Sequence, residues 1–324
     1  MAEDNSLLRR RTLLGGLAAS LALPALAQSD RPVRFILPNA TGAGVDTIAR
    51  SAQNALAKAL GRPVIIDNQP GAGGIVGLQS LARSPADGST LGIVSNNVVI
   101  FPSVMKSIPF DMPGDFTPIA VVGYTPVVLV VNAKVPAKDA KEFIALLKSR
   151  NGDMTYASGG NGTILHLGSA MFLDEARVSA RHIPYKGVGP MMNDLLGGQV
   201  DFAVAALPSV QGHLKSGALR AIGMATAQRT PAAPEIATFV EQGLPNYIVN
   251  AWFAVIAPKK LPEADVQRIH AAIVAAFDDP EVKEAMARQG NVISVGPADK
   301  AMPFFRSELA LYATLVKKAG VEVQ

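Results

Sequence analysis

The chain has 324 residues, room for two domains of ordinary size, and 49% of them are hydrophobic against 17% charged, which excludes a disordered chain. The net charge is +4, with Lys and Arg scattered rather than gathered in a basic stripe, so no nucleic-acid partner is expected and a small anion suits the balance better. Cysteine is absent, which rules out disulfides, thiolate metal sites and a cysteine nucleophile.

The first element is a targeting signal. Arg9, Arg10 and Arg11 precede a short apolar run over 12–26, and Ala25-Leu26-Ala27 gives the small-x-small pattern of signal-peptidase cleavage. Residues 1–27 are expected to be removed on export to the periplasm, leaving a mature chain that starts at Gln28. The leader holds three arginines, Glu3 and Asp4, a net +1, so the mature chain keeps +4 − 1 = +3. Its apolar run is shorter than the roughly 20 residues of a membrane span, and no later run reaches that length. Arg10-Arg11-Thr12-Leu13-Leu14 also fits a twin-arginine pattern, so both export routes remain open.

From Arg31 onward strands and helices alternate. Residues 33–37 read as a strand. A helix follows over 47–60, with Ile48, Ala52, Leu56 and Ala59 on one face and Gly61 as its stop. Strand 64–66, a glycine-rich loop at 71–77 running into a helix through Leu81, and strand 91–94 complete a β-α-β-α-β unit. The theme restarts near residue 119. It continues with strand 127–131, helix 138–149, strand 155–157, a second glycine turn at 159–162 and a helix through Leu173. Strand 182–185, helix 190–196 and strands 200–205 and 219–225 follow, then strand 253–257 and helices 263–277, 280–289 and 298–319. This order predicts an α/β fold of two similar units, each a mostly parallel sheet with helices on both faces. With no low-complexity linker, the two units are expected to be joined by crossing strands, as in a hinged clamp.

Catalytic and cofactor motifs are missing. There is no phosphate-binding P-loop, no H-E-x-x-H and no G-x-S-x-G, and the four histidines (His166, His182, His213, His270) have no second ligand at metal spacing. Gly71–Gly77 approaches a dinucleotide fingerprint, but its third glycine is one position late and no acid follows at the required distance. No cofactor and no metal are expected. What remains is a set of glycine turns at predicted helix starts: Gly42-Ala43-Gly44, Gly71-Ala72-Gly73-Gly74 and Gly160-Asn161-Gly162. Such turns leave backbone N–H groups free at the positive end of a helix, which binds anions without charged side chains.

Five ordered blocks carry a resemblance. PNATGAGVD (38–46), NQPGAGGIVG (68–77), YASGGNGTILHL (156–167), PYKGVGPMMNDLLGGQVDF (184–202) and TFVEQGLPNYIVNAWFAVIAPKKLP (238–262) are similar to the blocks of the Bug family, the TctC-type receptors of tripartite tricarboxylate transporters. The resemblance implies a two-lobe periplasmic binding protein of type II-like architecture, with residues 28–125 and 252–324 as one lobe and 126–251 as the other. It implies a receptor, not an enzyme. The receptor closes on a small carboxylate, either a dicarboxylate or an aromatic or apolar organic acid. Its partners are that ligand and the membrane subunits of the transporter, and the mature chain is expected to be a soluble monomer. A sensor subunit for a membrane kinase uses the same closed clamp and is the alternative reading. An envelope enzyme acting on a carboxylate is the other, and lacks a base with a positioned partner.

Carried over by position, the resemblance places ligand contacts at Asn39, Ala40, Thr41, Gly42, Ala43, Gly44 and Val45, and at Gly71, Ala72 and Gly73. Further contacts fall at Ser158, Gly160, Asn161, Gly162 and Thr163, where the two hydroxyls are expected donors. For Ser158 the alternative is a strand-end turn residue, and for Thr163 a helix cap. Asn96, Tyr185 and Ala206 complete the set, with Asn97 beside Asn96 as the other candidate for a polar contact after strand 91–94. Asp46 is expected to orient the first helix, while Lys186 and His166 are expected outside the contact set. The chain departs from the family pattern at Ala43, Val45, Ala205 and Ala206, where relatives offer a glycine, a hydroxyl and a polar pair. Without an acid there, a ligand ammonium group has no counter-charge, which favours acids lacking an amino group.

Overall fold

Strand β1 (Val33–Leu37) sets the pattern of the fold: Val33, Phe35 and Leu37 enter one core cluster and Ile36 another, so both faces of the strand are buried. The computed structural model describes residues 31–321 and 323. The export signal expected at 1–27 lies outside them. Helix α1 (Gly44–Leu60) buries Ile48, Ala52 and Leu56, spaced i, i+4, i+8, and Gly61 ends it in the left-handed region at φ 65°. Burial of side chains the size of Ile48 and Leu56 contributes about 1.5–3 kcal/mol each, and the methyl of Ala52 less. Strand β2 (Val64–Asn68), a 3-10 turn (Ala72–Gly74), helix α2 (Ile75–Ala82) and strand β3 (Thr90–Ser95) follow, and β1 pairs parallel with both β2 and β3.

Helix α3 (Asn97–Val104) and strand β4 (Phe116–Thr125) come next. A single residue, Pro126, separates β4 from β5 (Val127–Asn132), which belongs to a second sheet. That sheet is built from β5, β6 (Thr155–Ser158), β7 (Arg181–Pro184), β8 (Phe202–Ala206) and β9 (Leu219–Met224), in the order β7-β6-β8-β5-β9. Between its strands run α4 (Ala140–Arg150), α5 (Ile164–Ala176), α6 (Val188–Gly197) and α7 (Leu207–Lys215). The chain then returns through β10 (Ala251–Pro258) and finishes with α8 (Glu263–Asp278), α9 (Pro280–Gln289), β11 (Val292–Ile293) and α10 (Ala298–Lys318). The first sheet has the order β11-β4-β10-β3-β1-β2. The fold is mixed α/β, as the strand and helix order predicts.

The parallel part of each sheet is narrower than the sequence reading expects. Only β2-β1-β3 and β7-β6-β8 run parallel. Strands β10 and β5 enter their sheets from the other one, hence from the opposite end, and pair antiparallel with β3 and β8. The two crossings lie side by side, with Ala251 paired to Thr125 at the end of the β4–β10 ladder. Along β5, Val127, Leu129 and Val131 join the core cluster that continues across the crossing, and Val128 and Val130 join the one on the other face. Burial on both faces explains why this strand is apolar without alternation.

Candidate ligand-binding site

Between the two sheets lies a cavity of about 90 Å3, several times the roughly 10–15 Å3 one water needs, so it fits a small molecule and not a polymer. The crossings form one wall, with Thr125, Val127, Ala251 and Trp252. The rest is built from the beginnings of helices. Ala43, Gly44 and Val45 open α1, and Asn97 opens α3. Thr163, Ile164 and Leu165 open α5, Gly187 and Val188 open α6, and Ala206 and Ser209 open α7. Gly71 and Gly73 of the 3-10 turn add another N-terminal edge. The first N–H groups of a helix have no intrahelical acceptor, and the helix dipole is positive there. Among the described residues the wall carries one charged side chain, Lys186, and no aspartate or glutamate.

The two halves meet around this cavity. A Cβ on Gly44 would stand 3.1 Å from the Ala206 Cβ, one on Gly160 3.3 Å from the Gly73 Cα, and one on Gly187 3.3 Å from the Ala40 Cβ. Ser209 donates its hydroxyl to Gly42 O at 3.3 Å. The side-chain oxygen of Asn97, from the first sheet, accepts the N–H of Ile164 at the start of α5 at 2.8 Å.

Asp46 lies just behind the α1 turn, 2% exposed. Burial alone would raise its pKa. The Gly42 N–H (2.9 Å), the Asn68 amide (2.9 Å) and Arg50 (2.9 Å) outweigh that and hold the carboxyl below the usual carboxylate range. The acid is thus spent on fixing the loop, the orienting role expected of it.

Of the expected contact residues, Asn39, Ala40, Ala43, Gly44, Val45, Gly71, Gly73, Thr163 and Ala206 line the cavity. The others do not, each for a visible reason. Thr41, Gly42 and Ala72 sit on the outer side of their turns, with Thr41, Gly42 and Ala72 exposed. The Ser158 hydroxyl, fully buried, donates to Gly160 O at 3.0 Å and lies 2.7 Å from His182 Nε2, so it braces the glycine turn from behind. Gly160, Asn161 and Gly162 press on the opposite half at Gly73 and Val104. Asn96 is turned away into the return crossing, where it accepts the Trp252 N–H at 2.9 Å and donates to Asn250 O at 2.8 Å; Asn97 takes the wall position. Tyr185 donates its hydroxyl to Asp194 at 2.7 Å across α6. Lys186, expected outside the contact set, is on the wall. Ala205 points into the core behind β8 with Val128 and Met191, so only Ala206 of that pair faces the cavity.

Thr163 both lines the cavity and caps α5, its oxygen accepting His166 N–H at 3.3 Å. The histidines that the sequence separates by sixteen positions are stacked in space, His166 on His182 with centroids 3.9 Å apart and 6° between planes. His166 Nδ1 accepts the Gly162 N–H at 3.1 Å. Burial lowers His166 to a pKa of about 4; burial and then the neighbouring His166 lower His182 to about 3. Neither ring lines the cavity. The sequence reading does not single out Ser209, Val188, Leu165 or the crossing residues Thr125 and Trp252. Pro208 after β8 is the one local signal for a helix start there, since proline is favoured in the first helical turn.

Comparison with known proteins gives the same picture. The family model for the tripartite tricarboxylate transporter family receptor (TctC) matches residues 48–321. Protein BugT of Bordetella pertussis is 34% identical over 310 residues, covering 94% of this chain and 95% of the relative. The structure of the periplasmic binding protein BugD superposes with a TM-score of 0.86 at 30% identity, over 91% of this chain and 99% of that one. A Rhodopseudomonas palustris protein solved with adipate has a TM-score of 0.87 at 26% identity, over 93% of this chain and 100% of that one. A sheet pair joined by adjacent crossings, a cavity walled by helix starts and a match along nearly the whole described chain agree, and the chain belongs to the TctC-type receptor family, the Bug proteins among its members.

Proposed function

We propose that the chain is exported, captures a small carboxylate acid in the periplasm and delivers it to the membrane subunits of a tripartite transporter. The two sheets are read as the two lobes of the receptor, 28–125 with 252–324 and 126–251, hinged at the paired crossings. The observation that carries the reading is the wall itself: α1, α3, α5, α6 and α7, drawn from both sheets, begin on one cavity that no acid lines among the described residues. Preformed N–H groups solvate a carboxylate with little reorganisation, whereas a buried ion pair costs desolvation of both partners. The N–H groups of Gly44, Val45 and Leu165 and the ammonium of Lys186 at the rim are the proposed donors; the Thr163 and Ser209 hydroxyls already donate to Gly160 O at 2.9 Å and Gly42 O at 3.3 Å.

The body of the ligand is read from the other side chains. Val45, Val127, Val188, Ile164, Ala206 and Trp252 give an apolar lining. That lining suits the methylene chain of a dicarboxylate or the ring of an aromatic acid. A relative with adipate, a six-carbon dicarboxylate, supports the class. In this reading the chain acts without catalysis; among the described residues that line the cavity there is no histidine, aspartate or glutamate to serve as a base with a positioned partner.

The test is a thermal-shift screen with succinate, adipate, malate, benzoate, aspartate and glutamate. A ligand that binds only the folded state raises Tm by mass action. At least one of the acids without an amino group is expected to raise Tm in a concentration-dependent way. No response to any carboxylate would overturn the reading.

A further inference from the structure

Two adjacent asparagines open α3 and face opposite ways. Asn96 is locked into the return crossing. It accepts the Trp252 N–H at 2.9 Å, donates to Asn250 O at 2.8 Å and reaches the Tyr312 hydroxyl of α10 at 2.5 Å. Asn97, 9% exposed, points across the cavity and accepts the Ile164 N–H at 2.8 Å. Ile164 is the first residue of α5, so its N–H has no acceptor within its own helix. Among the described residues, the side-chain hydrogen bonds that join the halves away from the crossing include Ser209 to Gly42 O and Gln211 to Arg288 O; both are 3.3 Å long and exposed. The Asn97 bond is short and buried, and its acceptor belongs to the residue next to Asn96, which is fixed at the crossing.

We propose that Asn97 is the closure latch of this receptor, a positioning residue whose amide oxygen takes the Ile164 N–H only when the two halves meet. This rests on reading the chain as a clamp that closes. The latch does two things. It adds a protein–protein bond to the closed arrangement, so closure does not depend on ligand contacts alone. It also satisfies a donor at the start of α5 that would otherwise be buried unpaired, and so leaves the neighbouring Leu165 N–H, on the cavity wall, for the acid. Asn96 supplies the rigid footing, because its three partners lie on the return crossing and on α10.

The latch is tested by residue-resolved amide hydrogen exchange on the purified protein, comparing the parent with Asn97→Ala and Asn97→Asp. Exchange reports local opening at the bond in question and needs no ligand. Asn97→Ala is expected to speed exchange at Ile164 by at least about tenfold while Phe172, deep in α5, keeps its protection. Asn97→Asp retains an acceptor and is expected to restore protection at Ile164. Small-angle scattering should give a larger radius of gyration for Asn97→Ala than for the parent. Equal Ile164 exchange in the parent and Asn97→Ala overturns the proposal. So does a loss of protection spread over all of α5, which marks unfolding, or an Asn97→Asp variant that exchanges as fast as Asn97→Ala. The binding reading fails separately, if no carboxylate raises the Tm of the parent.

Discussion

Gly44 and Ala206 face each other across the cavity: the first residue of α1 and the cap residue of α7 leave room for a Cβ on Gly44 only 3.1 Å from the Ala206 methyl. At that range a methyl on Gly44 would need Ala206 to give by a few tenths of an ångström. The pair brings the starts of α1 and α7 together on the cavity wall, and neither residue carries a polar atom on its side chain.

Ala206→Asp tests what an acid does there. Its carboxylate would sit against the N-terminus of α1 and take the donors proposed for the ligand. Binding of adipate or succinate, whichever raises the parent's Tm, is expected to weaken at least tenfold, about 1.4 kcal/mol. Titration calorimetry on the folded variant measures it. Unchanged affinity would place the ligand away from α1 and α7.

The same lining sets a preference among ligands. An ammonium group in this cavity would find no aspartate or glutamate on the wall among the described residues, and an unpaired buried charge costs several kcal/mol. Acids without an amino group are therefore expected to bind at least about tenfold more tightly than their amino analogues. Calorimetry of succinate against aspartate checks this, and tighter aspartate binding contradicts it. Ala205, which faces the core, plays no part in the preference.

Among the glycines where the two halves meet, Gly162 leaves the least room for a side chain. Its φ is +70°, and a Cβ would stand 2.2 Å from the Val104 side chain on the opposite half. Gly162→Ala should leave each half folded but force them apart, with carboxylate affinity reduced more than tenfold and Tm lowered by only a few degrees, about 1–2 kcal/mol of strain. Val104→Ala in the same chain should recover part of the affinity by removing the methyls in the way. Parent-like binding by the single variant would show that the turn yields freely.

The stacked histidines predict a pH dependence. Both are held below their ordinary pKa near 6.5, His166 at about 4 by burial and His182 at about 3 by burial and then His166. The unfolded chain takes up protons below about 6.5 while the folded one does not, so stability is full above that pH and falls as pH drops towards 4. For His166 alone the fall reaches about 3 kcal/mol, at 1.36 kcal/mol per pH unit. Glu308, raised by burial against the opposing Trp252 hydrogen bond, acts in the other sense: its stabilisation is complete below the unfolded pKa and is lost as pH rises. Tm measured from pH 7.5 to 4.5 should fall, and replacing both rings in H166Q/H182Q should flatten the curve. An equally steep curve in that variant would assign the slope to other groups.

The sequence is legible where a local rule decides. Strand 33–37 and helix 280–289 have the bounds the sequence suggests, and Gly61 ends α1 as expected. Strand β4 escapes because Pro118 and Gly123 interrupt it. The β4–β10 register slips at both places, skipping Ile119 and Val122, since proline has no N–H for the ladder. Helix α3 is apolar on all sides and contains Pro102, so no amphipathic period marks it. In the site, the glycine turns at α1 and α5 can be read because they are short local motifs. Ser158 cannot be resolved in the same way. Its hydroxyl is claimed by Gly160 O and by His182, 24 positions away, and only the folded sheet brings that ring to it. Nor does sequence separate Asn96 from Asn97, since which one meets the cavity depends on the hand of the first turn of α3.

Trp252 is the chain's one tryptophan. It lies on the cavity wall at the return crossing, with its indole N–H bonded to Glu308 Oε2 at 2.6 Å and the rings of Phe304 and Phe305 against it. A lone indole at the pivot is an optical gauge already fitted to the molecule. Its emission comes from a single environment, so wavelength and quenching by acrylamide follow the opening of that wall without a dye or an engineered label.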